Sequence, residues 1–157
     1  GRMRGFGARD RPVMDVPAPE NSNSVDRKRE AGPALDILLG EDDPVSALLV
    51  AAVLRKAGHT VRSVEDFGSL IEALGENRPD VVLCDMHMPG GNIMDLISAA
   101  CRTALQPVPV MVLTAESRGE ARRKVIDQGA CKVLQKPLDP AVLIEELRLF
   151  AQASSTS

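Results

Sequence analysis

Charged and hydroxyl side chains come at the ends of four short apolar runs of the sequence. Glu41 and Asp42 come after the run at 35–39, Asp85 after 80–84, Thr114 after 108–113 and Lys136 after 131–134. Carboxylates bind hard divalent cations, and an amine or a hydroxyl can bind the oxygens of a phosphoryl group. If the fold brings these residues together, the chemistry that they suit is transfer of a phosphoryl group to a carboxylate.

The elements that must position these residues follow from a repeated pattern. From Leu35 onwards, a short apolar run, a turn and a helical period recur five times. The pattern predicts strands at 35–39, 60–64, 80–84, 108–113 and 131–134, and helices at 44–57, 67–76, 93–104, 116–128 and 140–152. Such alternation predicts an α/β fold with a parallel sheet covered on both faces, and ligands bind at the carboxyl ends of its strands.

Glu41, Asp42 and Asp85 would form a cluster of carboxylates at that edge. Two unit charges about 4 Å apart repel by roughly 4 kcal/mol at the effective dielectric near a protein surface. A cation is therefore expected among them, and an all-oxygen site with few protein ligands suits Mg²⁺. Beside Mg²⁺ and Lys136, Asp85 is placed as a nucleophile that forms an aspartyl phosphate.

The composition divides the chain into unequal parts. Residues 1–33 carry seven Lys/Arg, five Asp/Glu and four prolines with almost no apolar periodicity, so we expect a flexible tail or linker there. We expect one globular domain at 34–152 and a disordered tail at 153–157. Residues 34–157 carry twelve basic and seventeen acidic residues, which argues against nonspecific nucleic-acid binding by the domain.

The chain shows no membrane segment, because no run of about eighteen apolar residues occurs. Cys84, Cys101 and Cys131 are an odd number of cysteines without the spacing of metal ligands. They are interpreted as reduced thiols of the core, which indicates a cytoplasmic protein.

The segments ILLGEDDP, VVLCDMHMPGG, VMVLTAE and VLQKPLD resemble the signature positions of the response-regulator receiver domain of two-component signalling. The resemblance covers about residues 34–152 and implies a doubly wound, flavodoxin-like sheet of five parallel strands in the order 2-1-3-4-5. It also implies a signalling switch rather than a metabolic enzyme. The implied partners are a histidine kinase or histidine phosphotransfer protein and an unidentified downstream protein.

The resemblance assigns roles to individual positions. It implies that Asp85 is phosphorylated and that the metal site consists of Asp85, Asp42, Glu41 through a bound water, and the backbone carbonyl of His87. Thr114 resembles the residue whose hydroxyl moves towards the phosphoryl group, and Lys136 resembles the lysine that forms an ion pair at the site. The Lys136–Pro137 bond is expected to be cis, as is usual in the family.

Three positions depart from the family pattern. Ile93 stands where Gly is common, Val133 where an aromatic switch residue is common, and Leu138 where Phe is frequent. Val133 has no aromatic ring that could move inward. The resemblance therefore does not imply that phosphorylation is signalled to the face of the last two helices in the way that is usual for the family. The phosphorylation chemistry does not need that ring.

Plainer explanations exist for single residues. Asp85 alone could end a strand before a turn, and Glu41 and Asp42 could complement a helix dipole. Thr114 could be an ordinary β-branched strand residue, and His59 is expected to be a turn residue.

Rival functions remain open. A haloacid-dehalogenase-type phosphatase would need a second Asp where His87 stands, and a flavodoxin-like cofactor module would repel its phosphate with the GEDDP turn. A receiver fold that binds partners without phosphorylation is the third alternative.

The first predicted helix offers a candidate docking surface. One face of this helix is expected to pack on the core, and it carries Leu49, Val50, Val53, Leu54 and Ala57. The opposite face would then point outwards, and it carries Val45, Leu48, Ala51 and Ala52. An apolar outward face predicts a partner, and in the receiver family this helix packs against the helical bundle of the kinase or phosphotransfer protein. The alternative is an alanine-rich helix without a partner.

Overall fold

The computed structural model describes residues 33–102, 106–116 and 119–156. Strands and helices alternate along these residues, as predicted. The strands are β1 (Asp36–Gly40), β2 (Thr60–Val64), β3 (Val81–Asp85), β4 (Val110–Thr114) and β5 (Lys132–Gln135). The helices are α1 (Pro44–Lys56), α2 (Phe67–Glu76), α3 (Ile93–Cys101), α4 (Gly119–Gln128) and α5 (Pro140–Thr156). None of the helices in the described ranges is long and apolar enough to cross a membrane.

The strands form one parallel sheet in the order β2-β1-β3-β4-β5, which confirms the predicted topology. The register pairs Gly40 with Cys84 and Asp85 with Leu113, so β1, β3 and β4 end at the same edge. The chain reverses its direction of winding between β1 and β3, which is the place where sheets of this type bind ligands.

Apolar layers cover both faces of the sheet. Helices α2, α3 and α4 pack on one face, and the largest side chains of this layer that are almost fully buried are Phe67, Leu70, Leu96 and Ile97. Helices α1 and α5 pack on the other face, where Leu54, Leu143 and Leu147 are fully or almost fully buried. The interiors of β1, β3 and β4 are apolar, with polar residues only at a strand end, as parallel strands buried on both faces require.

Short polar side chains begin the helices that follow β1, β2 and β3. Each of these residues accepts a hydrogen bond from a backbone N–H three positions ahead: Asp43 from Ser46 at 3.1 Å, Asp66 from Ser69 at 2.7 Å, and Asn92 from Asp95 at 3.0 Å. Such caps satisfy amides that the first turn leaves unpaired. They fix where each helix starts relative to the edge that carries the acidic residues.

Some predicted boundaries need correction. Gly75 lies inside α2 and does not end it, whereas Gly58 and Gly129 follow α1 and α4 with positive φ. Helix α5 continues through Thr156, so 153–156 are helical rather than a disordered tail, because no Gly or Pro interrupts the helix there. The predicted tail or linker at 1–33 lies outside the described residues except for Pro33, as do the predicted helix positions 103–104 and 117–118.

The cysteines were predicted to lie in the core, and this is correct only for Cys84. Cys84 is fully buried, whereas Cys101 at the end of α3 and Cys131 before β5 are exposed. All of these cysteines are free thiols. Burial raises the pKa of the Cys84 thiol far above its ordinary value, so this thiol is unreactive.

Gly40, the last residue of β1, has no room for a side chain. A Cβ atom at this position would lie 2.5 Å from Leu70 Cδ1, 3.0 Å from Cys84 Sγ and 3.0 Å from Met88 Cε. Side-chain atoms of α2, of β3 and of the turn after β3 therefore fill the space beside the strand end that leads into the acidic residues.

His59, which lies between α1 and β2, has a structural role. Its ring is 6% exposed, and its Nδ1 accepts a hydrogen bond of 3.1 Å from the backbone N–H of Leu35. Burial lowers the pKa of the ring below its ordinary value, because the cation would lose hydration. His59 therefore joins the start of β1 to the start of β2 as a neutral ring.

We expect the free energy of unfolding to fall as the pH decreases from about 6.5 towards the lowered pKa of folded His59. In that interval the unfolded chain takes up a proton at His59 and the folded chain does not, so acid favours unfolding by at most about 1.4 kcal/mol per pH unit. Urea unfolding of wild type and His59→Asn between pH 7.5 and 5.5 measures this, because asparagine keeps an acceptor but does not titrate. Parallel pH profiles for the two proteins would contradict the prediction.

Candidate functional site

The ends of four strands bring the predicted site residues together. Glu41 directly follows β1, Asp85 ends β3, Thr114 ends β4 and Lys136 directly follows β5. The backbone N–H of Lys136 donates a hydrogen bond of 2.7 Å to the carbonyl of Thr114, which continues the pairing of β4 and β5. Residues up to 95 positions apart in the chain therefore share one edge of the sheet.

The carboxylates converge as the sequence predicts. Glu41, Asp42 and Asp85 each offer an oxygen, and these oxygens all lie within 4.8 Å of one another. Glu41 is only 2% exposed, whereas Asp42 is exposed. Burial raises the pKa of the Glu41 carboxyl above its ordinary value, although hydrogen bonds from Lys136 and from the Asp43 amide lower it. The acidic residues therefore form a concentrated negative site.

Lys136 lies between two of these carboxylates. Its Nζ is 2.6 Å from Asp85 Oδ2 and 3.0 Å from Glu41 Oε2. Burial on its own would lower the pKa of the Lys136 amine, but the hydrogen bonds to Asp85 and Glu41 outweigh burial and the pKa is raised. The Lys136 amine is therefore a cation at neutral pH and offsets part of the negative charge.

Thr114 lies in the same region with its side chain buried. It is 2% exposed, and its Oγ1 accepts a hydrogen bond of 3.0 Å from the backbone N–H of Glu116. The expected role of Thr114, a hydroxyl that follows the phosphoryl group, stays a prediction. Its position at the end of β4 is consistent with that role, because β4 lies directly beside β3.

His87 begins the turn after Asp85. Its backbone N–H donates a hydrogen bond of 3.2 Å to Asp85 Oδ1, and its ring Nε2 lies 2.8 Å from Glu116 Oε1. The predicted role of the His87 carbonyl as a metal ligand stays a prediction. Sequence reasoning missed Glu116, which is two residues beyond Thr114 in the VLTAE segment.

The donors at this edge fit the ion that was predicted. Glu41, Asp42 and Asp85 supply oxygen atoms only, and no sulfur or imidazole nitrogen belongs to this group of donors. Hard oxygen donors with a net negative charge match Mg²⁺ rather than Zn²⁺ or Cu²⁺. Mg²⁺ remains a proposal that rests on this set of donors.

The three positions that depart from the family pattern do not belong to the group of converging carboxylates. Ile93 is the first residue of α3 and is buried, so the position supports packing rather than a turn. Val133 is 4% exposed in the core beneath α3 and α4, and Leu138 packs partly against the opposite core. The Lys136–Pro137 bond is cis, as expected.

The predicted core face of α1 is partly wrong. Leu49 was expected to be buried but is 63% exposed, and Ala51 was expected to face outwards but is 3% exposed. The outward face carries Val45 and Leu48 as well, at 64% and 70% exposure. The small side chain of Ala51 faces the core beside Leu54. The exposed surface of α1 is therefore more apolar than predicted.

Comparison with known proteins agrees with these observations. Residues 37–148 match the family model described as the response regulator receiver domain. The chain is 31% identical over 129 residues to the sensory/regulatory protein RpfC of Xanthomonas campestris pv. campestris, which is 80% of this chain and 18% of RpfC. It is 32% identical over 113 residues to the phosphate regulon transcriptional regulatory protein PhoB of Klebsiella pneumoniae, which is 71% of this chain and 49% of PhoB.

The fold has close counterparts among solved structures. A putative response regulator from Chloroflexus aurantiacus superposes with a TM-score of 0.71 at 26% identity, covering 76% of this chain and 99% of that one. The chain spans less than half the length of the two curated relatives above. The segment that matches the family model, residues 37–148, contains the sheet except for Asp36, the first residue of β1, and it contains Glu41, Asp42 and Asp85. The chain belongs to the family of response regulator receiver domains of two-component signalling.

Proposed function

We propose that Asp85 accepts a phosphoryl group from a histidine kinase or a histidine phosphotransfer protein. The observation that carries this proposal is the position of Lys136 Nζ, 2.6 Å from Asp85 and 3.0 Å from Glu41, beside a third converging carboxylate. A carboxylate beside an ammonium group can attack phosphorus, because the cation offsets the charge that the transferred group brings.

The transfer is balanced in atoms and charge. A carboxylate oxygen of Asp85 forms a bond to phosphorus while the bond from phosphorus to the donor's imidazole nitrogen breaks, and that nitrogen keeps the electron pair and takes up a proton. Lys136 binds an oxygen of the transferred group, and the Thr114 hydroxyl donates to another. Glu41, Asp42, Asp85 and the His87 carbonyl would hold Mg²⁺, which supplies positive charge at the transferred group when bound.

The product changes the charge of the site. A phosphoryl group adds negative charge and acceptor oxygens at the strand edge, and such a change shifts an existing equilibrium between two conformations. We propose that this shift controls a downstream protein, and that the chemistry of the domain is limited to its own phosphorylation and dephosphorylation. The free cysteines support a cytoplasmic location for this function.

Labelling by a small phosphodonor tests the proposal. Protein incubated with acetyl phosphate and MgCl₂ should gain one phosphoryl group, detected by intact mass and located at Asp85 by borohydride reduction and peptide mapping. Excess EDTA should prevent the gain. Absence of any label would instead favour a receiver that binds partners without phosphorylation, an alternative that the missing aromatic residue at Val133 supports.

We propose that the outward face of α1 docks the phosphodonor protein. The face presents Val45, Leu48 and Leu49, each more than 60% exposed, and α1 starts two residues after Asp42. An apolar helix face of this kind packs against the apolar stripe of a partner helix. The partner would then hold its phosphohistidine over the acidic residues.

Leu48→Arg should slow phosphotransfer from a phosphorylated histidine kinase by about tenfold or more, because an exposed apolar anchor becomes a charge at the interface. Labelling by acetyl phosphate should be unchanged, because Leu48 is 70% exposed and is not one of the residues proposed to bind the phosphoryl group or Mg²⁺. Val142→Arg on α5, where the side chain is 51% exposed, is the matched control and should leave both rates unchanged. Equal losses with both donors would contradict docking through α1.

A further inference from the structure

A chain of hydrogen bonds joins the loop after β3 to the loop after β4. His87 N–H donates to Asp85 Oδ1 at 3.2 Å, the His87 ring Nε2 lies 2.8 Å from Glu116 Oε1, and Glu116 N–H donates to Thr114 Oγ1 at 3.0 Å. His87 and Glu116 are 29 residues apart in sequence. The contact between their side chains is thus the central link between the phosphoryl acceptor and the hydroxyl residue.

We propose that the His87–Glu116 pair is a latch that holds Thr114 in its unphosphorylated position. The inference rests on the proposed function, since it concerns the same site. While the latch is closed, the Glu116 amide remains hydrogen-bonded to the Thr114 hydroxyl. The pair also ties together the two loops between which a phosphodonor must reach Asp85.

Phosphorylation would act against the latch. The aspartyl phosphate carries about −1.5 to −2 charges in total where the free carboxylate carries one, so the negative charge increases on the side of the site where the Glu116 carboxylate is held. Repulsion would push Glu116 away from the site, and the oxygens of the new group would compete for donors of the same loops. Opening of the latch would free the Thr114 hydroxyl to turn towards the phosphoryl group.

The position of this pair distinguishes it from an ordinary contact between two surface side chains. The side chains of His87 and Glu116 are 72% and 40% exposed, and exposed pairs often contribute little to global stability. Here each partner also bonds to a residue of the site through its own backbone amide. A modest interaction can therefore alter the position of Thr114 without altering the stability of the fold.

A double-mutant cycle tests the latch. We would compare wild type, His87→Ala, Glu116→Ala and the double variant for the rate of labelling by acetyl phosphate with Mg²⁺ over a range of donor concentrations. Each single variant should be labelled about two- to fivefold faster, which is the scale of one exposed contact between side chains. The double variant should be no faster than either single variant, because both substitutions remove the same contact.

The signal of the Thr114 methyl group, followed by NMR, gives a second readout that does not depend on turnover. Without a phosphodonor, the signal of each single variant should move towards its position in wild type treated with beryllofluoride. Glu116→Gln keeps an acceptor for the His87 ring and should stay close to wild type. Glu146→Ala, which breaks the 3.1 Å pair between Lys132 of β5 and Glu146 of α5, is the matched control and should change neither readout.

The outcomes separate the two proposals. Additive rate effects in the double variant, or an unmoved Thr114 signal in both single variants, would overturn the latch while wild-type labelling left the proposed function intact. Behaviour of Glu116→Gln like that of Glu116→Ala would also overturn it, since simple charge repulsion would then explain the data. A wild-type protein that takes up no label would overturn both proposals.

Discussion

Asp85→Asn should abolish labelling by acetyl phosphate. The amide of asparagine has no anionic oxygen to attack phosphorus, and it removes one carboxylate from the group that would hold Mg²⁺. Asp85 is also the carboxylate nearest to Lys136, so no neighbouring group shares its geometry. Incubation with radiolabelled acetyl phosphate and MgCl₂, followed by gel autoradiography, would measure the loss.

Asp95→Asn is the matched control for this substitution. Asp95 lies in the first turn of α3 and is exposed, so the same chemical change there should leave labelling intact. A label that persisted on Asp85→Asn at the wild-type level would mean that another carboxylate is the acceptor. Peptide mapping would then distinguish Glu41 from Asp42.

Lys136→Met should slow labelling by about 10²- to 10³-fold, which is the usual effect of removing one donor that stabilises developing charge. Methionine has a similar length but no charge, so nothing would offset the phosphoryl oxygens at that position. Lys136→Arg is the control that keeps the charge, and it should restore part of the rate because its planar group has a different geometry.

Lys136→Met should also lower the free energy of unfolding at pH 7. Glu41 is nearly buried, and without the hydrogen bond from Lys136 its carboxylate loses a charged partner, at a cost of roughly 1–3 kcal/mol. Added Mg²⁺ should recover part of this loss, because a bound cation stabilises the folded state that binds it. Labelling of Lys136→Met at the wild-type rate would contradict the assigned role of this residue.

The sequence predicted the sheet and the position of the acidic residues because both depend on simple local patterns. Parallel strands buried on two faces are apolar throughout, and their ends are marked by polar residues and turns. Once the strands were located, their common direction placed Glu41, Asp85 and Lys136 at one edge. The structure brings these side chains within hydrogen-bonding distance as a consequence of the same topology.

The orientation of α1 could not be predicted in the same way. Nine of the thirteen residues of PVSALLVAAVLRK are Val, Ala or Leu, so the helix has no clear division into an apolar and a polar face. In the packing against the sheet, Ala51 is buried and Leu49 is left exposed. Tertiary contacts, which the helical period does not describe, decided between two similar faces.

Contacts between loops could not be predicted from the sequence either. His87 and Glu116 meet because the turns after β3 and β4 have particular conformations, and neither residue type nor spacing indicates such a contact. The exposure of Cys101 and Cys131 has a similar origin, since both lie at the ends of elements rather than within them.

The lack of space at Gly40 has an evolutionary consequence. A methyl group there would need room that Leu70, Cys84 and Met88 now occupy, and two of these residues flank Asp85 in sequence. A larger residue at position 40 would therefore be tolerated only after a smaller one had appeared at 70, 84 or 88. We expect these four positions to covary among relatives, with their summed volume kept nearly constant while the carboxylates beside them stay unchanged.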